Sequence, residues 1–424
     1  MINQLKVYNV GEKIRIGNTY DGGYVLPKQM IEDSVCLFSY GINNDITFDE
    51  HYMQLTNKKV YGYDHTIDGI HTQHPNLFTW YKKGLSGTFQ RQTDNFLNHY
   101  KELGISGRVL LKVDVEGCEY EWLQNTDIQE LANVTTCFSL EVHFLDQLSI
   151  REKFISCIEE LNKHFYLCHI HGNNYAPTFN YEGCDVPMVL ELTFVPKSLV
   201  PEASLSTETF PTNLDTPNDS SVPDINLNFI LFNRLGGVVH TIDNRDYCAV
   251  LKRALTNDGD IVDVGCYTWD WSQFFIGKKR VIGVDPIENH KPEGAELFQG
   301  VIGSTNGKSF MNVDDVKSTI IPEYVDSNNA LDVQMVTWKT FCSNYNIDKI
   351  SVLKVNIEGS EYALLDSMTQ EDFDKIDQIA ISFHDWLVPE WKNLTEIALT
   401  KLKNSGFTLV KINEQWNWYL AFKQ

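Results

Sequence analysis

The chain has 424 residues, 42% hydrophobic and 22% charged, with a net charge of −22. That length exceeds one typical core, and the acidic balance argues against a nucleic-acid binder, which needs a basic stripe to displace counterions from phosphates. No run of 18 or more apolar residues occurs, so no spanning helix is expected.

Nine scattered cysteines without a CxxC pair, and an N-terminus lacking an apolar secretory core, fit a reducing, cytoplasmic setting. In chain order, residues 34–55 (SVCLFSYGINNDITFDEHYMQL) read as a strand, a glycine turn and a helix. KVYGYDHT (59–66) follows as a strand ending in an acid, and TDNFLNHYKELGI (93–105) as a helix. RVLLKVDV (108–115) is a strand, EGCEYEWLQN (116–125) a helix and CFSLEVHF (137–144) a strand, before a long helix and a closing hairpin. Residues 197–224, rich in Ser, Thr, Pro, Asn and Asp, are expected to be a linker, because they lack the apolar surface to offset ordering.

The order then repeats. DIVDVGCYTWDWSQFF (260–275), VIGVDP (281–286), TWKTFCSNYNID (337–348), ISVLKVNI (350–357), EGSEYALLDS (358–367) and QIAISFHD (378–385) match the first series element by element. LKVDVEGCEYEWL (111–123) and LKVNIEGSEYALL (353–365) share eight of thirteen residues. Apolar strands alternating with helices predict a parallel sheet covered on both faces. The expected architecture is α/β, two tandem Rossmann-like doubly wound domains, at 1–196 and 225–424.

In such sheets ligands lie beyond the carboxyl ends of the strands, where strand order reverses. Three positions per half fall there. Gly41 and Gly265 follow the first strand, where glycine permits close backbone approach and a following helix N-terminus favours an anion. Asp64 and Asp285 end the second strand, where a carboxylate can accept from both hydroxyls of a ribose. Asp114 and Asn356 end the fourth. Absence of GxGxxG after either first strand argues against a nicotinamide enzyme.

The phrase KxDxEGxExxxL, with Asp263, Gly265 and GVDP at 283–286, resembles the FkbM-type S-adenosylmethionine-dependent methyltransferases. RIGNTYDGGYVLP (15–27), HIHGNNYAP (169–177) and VPMVLELTFV (186–195) resemble a related branch of that family. The resemblance implies S-adenosylmethionine held by Gly41, Asp64 and Asp114 in one half, and by Asp263, Gly265, Asp285 and Asn356 in the other. It also implies a sugar or glycan acceptor modified at a hydroxyl. Trp269, where a second glycine is common, and Asn356 suggest weaker cofactor binding in the second half. One catalytic half beside a non-catalytic glycan-binding or dimerising half is the alternative.

His143 and His384 recur at equivalent strand ends, where a neutral imidazole can take a hydroxyl proton or simply pack. Glu141 is a competing base; Ser382 replaces it in the second half, where Asp385 can orient His384. Glu116 and Glu358 are expected in a first helical turn, stabilising its dipole or acting in catalysis. Glu119 and Glu361 read as solvated or helix-bonded. His169, His171, Asn173 and Asn174 can contact a sugar, join Asp114 and Glu141 around a divalent metal, or form a hairpin turn. Trp416 and Trp418 can stack on a sugar face or pack.

Overall fold

The computed structural model describes residues 1–182, 184–240, 249–287, 290–312, 330–413 and 416–423. Two compact units divide between Arg234 and Leu235. In the first, seven strands form one sheet: β1 (Leu37–Tyr40), β2 (Val60–Tyr63), β3 (Phe78–Tyr81), β4 (Val109–Val113), β5 (Thr135–Val142), β6 (Phe165–Gly172) and β7 (Leu190–Pro196). Their order is β6-β7-β5-β4-β1-β2-β3, parallel except for β7, which runs antiparallel to both β5 and β6. Every residue of β1, β4 and β5 is buried, which is why their sequences are continuous apolar runs rather than alternating ones.

The second unit has the same topology in β8 (Asp260–Val264), β9 (Val281–Val284), β10 (Ala295–Phe298), β11 (Ile350–Val355), β12 (Ile376–Ser382), β13 (Thr408–Asn413) and β14 (Trp418–Phe422). Their order is β10-β9-β8-β11-β12-β14-β13, with β14 the antiparallel member. Two doubly wound α/β sheets are therefore present, as expected. In each, strand order reverses between the first strand and the fourth, β1 beside β4 and β8 beside β11, and a crevice opens at their carboxyl ends.

Helices cover the sheets: α1 (Thr47–Thr56), α2 (Phe96–Glu102), α3 (Glu119–Gln124) and α4 (Leu148–His164) in the first unit, then α5 (Trp338–Asn344), α6 (Glu361–Ser367) and α7 (Lys392–Asn404) in the second. Asn95 and Thr337 cap α2 and α5 by accepting the N–H groups of Leu97 and Thr340. The helix expected after Gly265 is only a 3₁₀ turn, Ser272–Phe275, so that position offers no helix N-terminus to an anion. Among the described residues no helix is long and apolar enough to cross a membrane.

Residues 197–224 differ from the linker expectation and belong to the first compact unit. Ser204–Leu205 pairs with Tyr8–Asn9, and Phe210 is buried. Asp215 meets His169 Nε2 at 2.8 Å, Asp224 meets His171 Nε2 at 3.0 Å, and Asn218 donates to Glu191 at 2.7 Å. The segment is held by its acids and amides, reaching polar groups that the unit's own sheet buries.

Candidate active site

The glycine after each first strand is required by a neighbouring strand. Gly41 and Gly265 have φ of +70° and +85°. A Cβ on Gly41 would fall 1.5 Å from the Asp114 carbonyl oxygen, and one on Gly265 would fall 2.0 Å from that of Asn356. The close approach is thus to the end of β4 or β11. Gly265→Ala combines left-handed strain with a clash and is expected to cost about 2–3 kcal/mol, measurable by chemical denaturation.

The strand-two acids lie beside these turns. Asp64 accepts the N–H of Asn43 at 2.9 Å and both the N–H and hydroxyl of Thr66 at 2.8 and 2.6 Å. Burial works to raise its pKa, but those hydrogen bonds outweigh it and the net shift is downward. Asp285 accepts the N–H groups of Tyr267 at 3.0 Å and Ile287 at 2.9 Å. It lacks the extra hydroxyl, and burial raises its pKa. A cavity of about 170 Å³ opens over Asp285, lined also by Gly265, Ile287, Ile302, Met311 and Asn356. Trp269 does not line it; its ring is buried and covers Gly283 of β9. The weaker binding expected from Trp269 therefore loses its steric basis.

The repeated phrase places a buried lysine in each sheet, at the same register against the first strand: Lys112 opposite Ser39, and Lys354 opposite Asp263. Lys354 Nζ meets Asp263 Oδ1 at 2.8 Å and donates to the Gly265 carbonyl at 2.6 Å. Asp263 is fully buried in that pair, on the β8 strand below the crevice. In the first unit Ser39 carries no charge, and Lys112 turns instead to Asp114 Oδ2 at 3.4 Å. Each unit thus gives its lysine one carboxylate from this set. The residue at the end of the fourth strand is Asp where the first strand offers Ser, and Asn where it offers Asp.

Beyond the fourth strand, Glu116 and Glu358 have φ of +52° and +48°, and the helices begin only at Glu119 and Glu361. The expected first-turn glutamates therefore stand in left-handed turns outside the helices, a strained backbone typical of functional sites. Glu119 and Glu361, expected to be solvated or helix-bonded, are 0% exposed and bond the turn before their helices. Glu361 accepts the N–H groups of Ile357 at 2.8 Å and Gly359 at 2.9 Å, and its Oε1 meets His384 Nδ1 at 2.8 Å. Glu119 accepts from Gly117 N–H at 2.7 Å and His143 N–H at 2.8 Å, and meets His143 Nδ1 at 3.3 Å. Each carboxylate fixes one turn and one imidazole.

His384 Nε2 faces Glu358 Oε2 at 3.3 Å. Burial alone would lower its pKa, but Glu361 and Glu358 outweigh that and push it up to about 10. His143 is likewise pushed up to about 9, its burial outweighed by Glu119, Glu141 and Asp114. The surrounding carboxylates thus favour the charged form of both rings over the neutral base expected. Glu141 accepts from the Tyr24 hydroxyl and from Asn173 Nδ2, each at 2.9 Å. Its pKa is raised by burial and by Asp114 and Glu191. Asp385 accepts from Asn417 Nδ2 at 2.7 Å, and the contacts orienting His384 come from Glu361 and Glu358.

His169 and His171 do not meet Asp114. They pair with Asp215 and with Glu191 and Asp224. Asn174 holds the backbone of Asp219, Val222 and Pro223. The chain's own segment thus occupies His171 and Asn174, and only Asn173 reaches the crevice group Glu141. Trp418 is buried in β14, whereas Trp416 is 42% exposed and lies edge-on to Trp386, which is 45% exposed. Trp386 is 5.7 Å from the His384 ring. Neither Trp386 nor the buried glutamates carry a signal in a single helix pattern; their signal is recurrence or placement after a shared strand end.

The sequence profile of the methyltransferase FkbM domain matches residues 21–167 and again 255–409. The chain belongs to the FkbM methyltransferase family. Each match contains one crevice and one repeated phrase, so the family fold occurs twice. Among solved structures, methyltransferase FkbM from Methylobacillus flagellatus KT is similar at 16% identity and a TM-score of 0.27, over 42% of this chain and 48% of that one. The likeness thus spans about half of that protein. SMU.1697c from Streptococcus mutans, assigned as a methyltransferase and solved with SAH, is similar at 10% identity and a TM-score of 0.22, over 40% of this chain and 90% of that one. No curated protein matches the chain.

Proposed function

We propose that both halves bind S-adenosylmethionine and transfer its methyl group to hydroxyls of a sugar or glycan. The observation carrying this reading is the duplicated site, in which a glycine turn, a strand-two carboxylate and a carboxylate–imidazole pair share one crevice in each FkbM domain. When bound, S-adenosylmethionine supplies an electrophilic methyl whose bonding pair returns to sulfur as the new carbon–oxygen bond forms. The residues fit it: each oxygen of Asp285 holds one backbone N–H and keeps a lone pair for a ribose hydroxyl. Apolar Ile287, Ile302 and Met311 flank that carboxylate and suit an aromatic base.

In the second half Glu358 takes the proton from the acceptor hydroxyl, while His384, held as imidazolium by Glu361, fixes the Glu358 carboxylate. Most of the acceleration comes from aligning that hydroxyl with the methyl. Trp386 and Trp416 offer exposed aromatic rings near this pair, on which the apolar face of a sugar can stack. Calorimetry of the full chain with S-adenosylmethionine is expected to show two sites, one lost in Asp64→Ala and the other in Asp285→Ala. Heat for one site alone would support a single catalytic half, and no heat would overturn the reading. With methyl transfer to oligosaccharides followed by mass spectrometry, Glu358→Gln should lower kcat of the second half about a hundredfold. His384→Gln, which keeps a donor toward Glu358, should lower it less.

A further inference from the structure

Three ligating atoms converge in the first unit at the carboxyl ends of β4 and β5. His143 Nε2 stands 3.8 Å from Asp114 Oδ1 and 3.8 Å from Glu141 Oε1. The ligand atoms of these three residues all lie within 4.8 Å of one another. Such separations are too long for hydrogen bonds. They are the right length for ligands that share an ion: a triangle with two sides of 3.8 Å and a third no longer than 4.8 Å has a centre roughly 2.1–2.5 Å from every corner, the reach of carboxylate and imidazole ligands to a divalent cation.

The surroundings hold each ligand while leaving the converging atom available. Lys112 takes Asp114 Oδ2 and leaves Oδ1 toward His143. Glu141 Oε2 accepts from Tyr24, and Oε1 accepts one bond from Asn173 and keeps its second lone pair. Glu119 lies behind the His143 ring at Nδ1, the carboxylate–imidazole arrangement that fixes a metal-binding histidine. His143 is 5% exposed, and its Nε2 faces three carboxylates: Asp114 and Glu141 at 3.8 Å and Glu116 Oε2 at 3.5 Å. A cation taking the place of the ring proton would be held by that buried nitrogen between the carboxylates. The second unit keeps the imidazole and its supporting Glu361 but has Asn356 and Ser382 in the two carboxylate positions.

We infer that the first unit binds one divalent cation through Asp114, Glu141 and His143, and that the second unit binds none at the equivalent place. Two carboxylates and one imidazole suit Mn²⁺ or a similar ion with coordination positions left for substrate oxygens. Resting on the methyl-transfer reading, those open positions take the acceptor hydroxyl and acidify it, the task given to Glu358 in the second half. The two halves then differ in how they activate the acceptor: one by a cation, one by a carboxylate.

Mn²⁺ titrated into the full-length chain, read by electron paramagnetic resonance and calorimetry, is expected to fill one site per chain, with nitrogen coupling from His143. Glu141→Gln and Asp114→Asn should each weaken binding about a hundredfold; Asp114→Asn is made together with Ser39→Asp, the second unit's pairing, so that Lys112 keeps a carboxylate partner. The absence of saturable Mn²⁺ binding, or binding unchanged in both variants, would overturn the inference. Because Mn²⁺ binding is read without cofactor or acceptor, failed methyl transfer with intact Mn²⁺ binding would remove the functional reading and leave the site. Methyl transfer by the first half in chelator, undiminished, would remove the cation's role in it.

Discussion

Glu361→Ala is expected to destabilise the second unit by about 3–5 kcal/mol, the usual consequence of removing one partner from a buried charged pair. The carboxylate is fully buried and is the acceptor for the Ile357 and Gly359 N–H groups as well as the partner of His384 Nδ1. Removing it leaves two backbone donors unpaired and the buried imidazolium with Glu358 as its one remaining carboxylate partner among those named. The effect has a pH signature. His384 has its folded pKa raised to about 10, against roughly 6.5 for an unperturbed histidine. A raised pKa contributes stability that is fully present below the unfolded value and is lost as pH rises through the folded one. The gap between wild type and variant should therefore be widest at pH 6 and narrow toward pH 10. Hydrogen exchange of β11 and β12 amides at several pH values measures it in the right unit. A gap that stays constant with pH would show that backbone capping alone, not the ion pair, gives Glu361 its weight.

The same residue marks where the sequence stops being legible. Both doubly wound sheets and the crevice follow from apolar runs spaced by helices and from a phrase repeated 242 positions apart. Asp64 and Asp285 follow from their place at a strand end. Glu119 and Glu361 do not, because a charged residue near a helix start reads as solvated or helix-bonded whichever way its side chain points. The backbone instead spends Glu116 and Glu358 in left-handed turns, delays each helix by three residues and points its first side chain into the sheet. A left-handed glutamate is invisible to propensity, since its cost is met by contacts elsewhere. Residues 197–224 were obscure for a related reason. Their polar composition indicates a chain unable to form a core, and says nothing of buried His169, His171 and Glu191 waiting for partners. In both cases the missing information was the destination of a polar group, which local pattern does not encode.

The difference between Asp114 and Asn356 has its own test, in the placement of one negative charge. Asp263→Ser should destabilise the second unit by about 3–5 kcal/mol, because Lys354 is left buried without its 2.8 Å carboxylate partner. Adding Asn356→Asp rebuilds the first unit's arrangement, in which serine stands on the first strand and the lysine turns to an aspartate at the end of its own. The double variant should therefore recover part of the loss, with a coupling of at least about 1 kcal/mol in a double-mutant cycle. Recovery should be incomplete, since Lys112 meets Asp114 only at 3.4 Å and draws also on Asp49, whose burial pushes its pKa up to about 7. If the double variant is no more stable than Asp263→Ser, charge relocation does not explain the pair. Recovery would mean that the second unit has moved its carboxylate below the crevice floor, and that Asp114 is the copy left facing the chemistry.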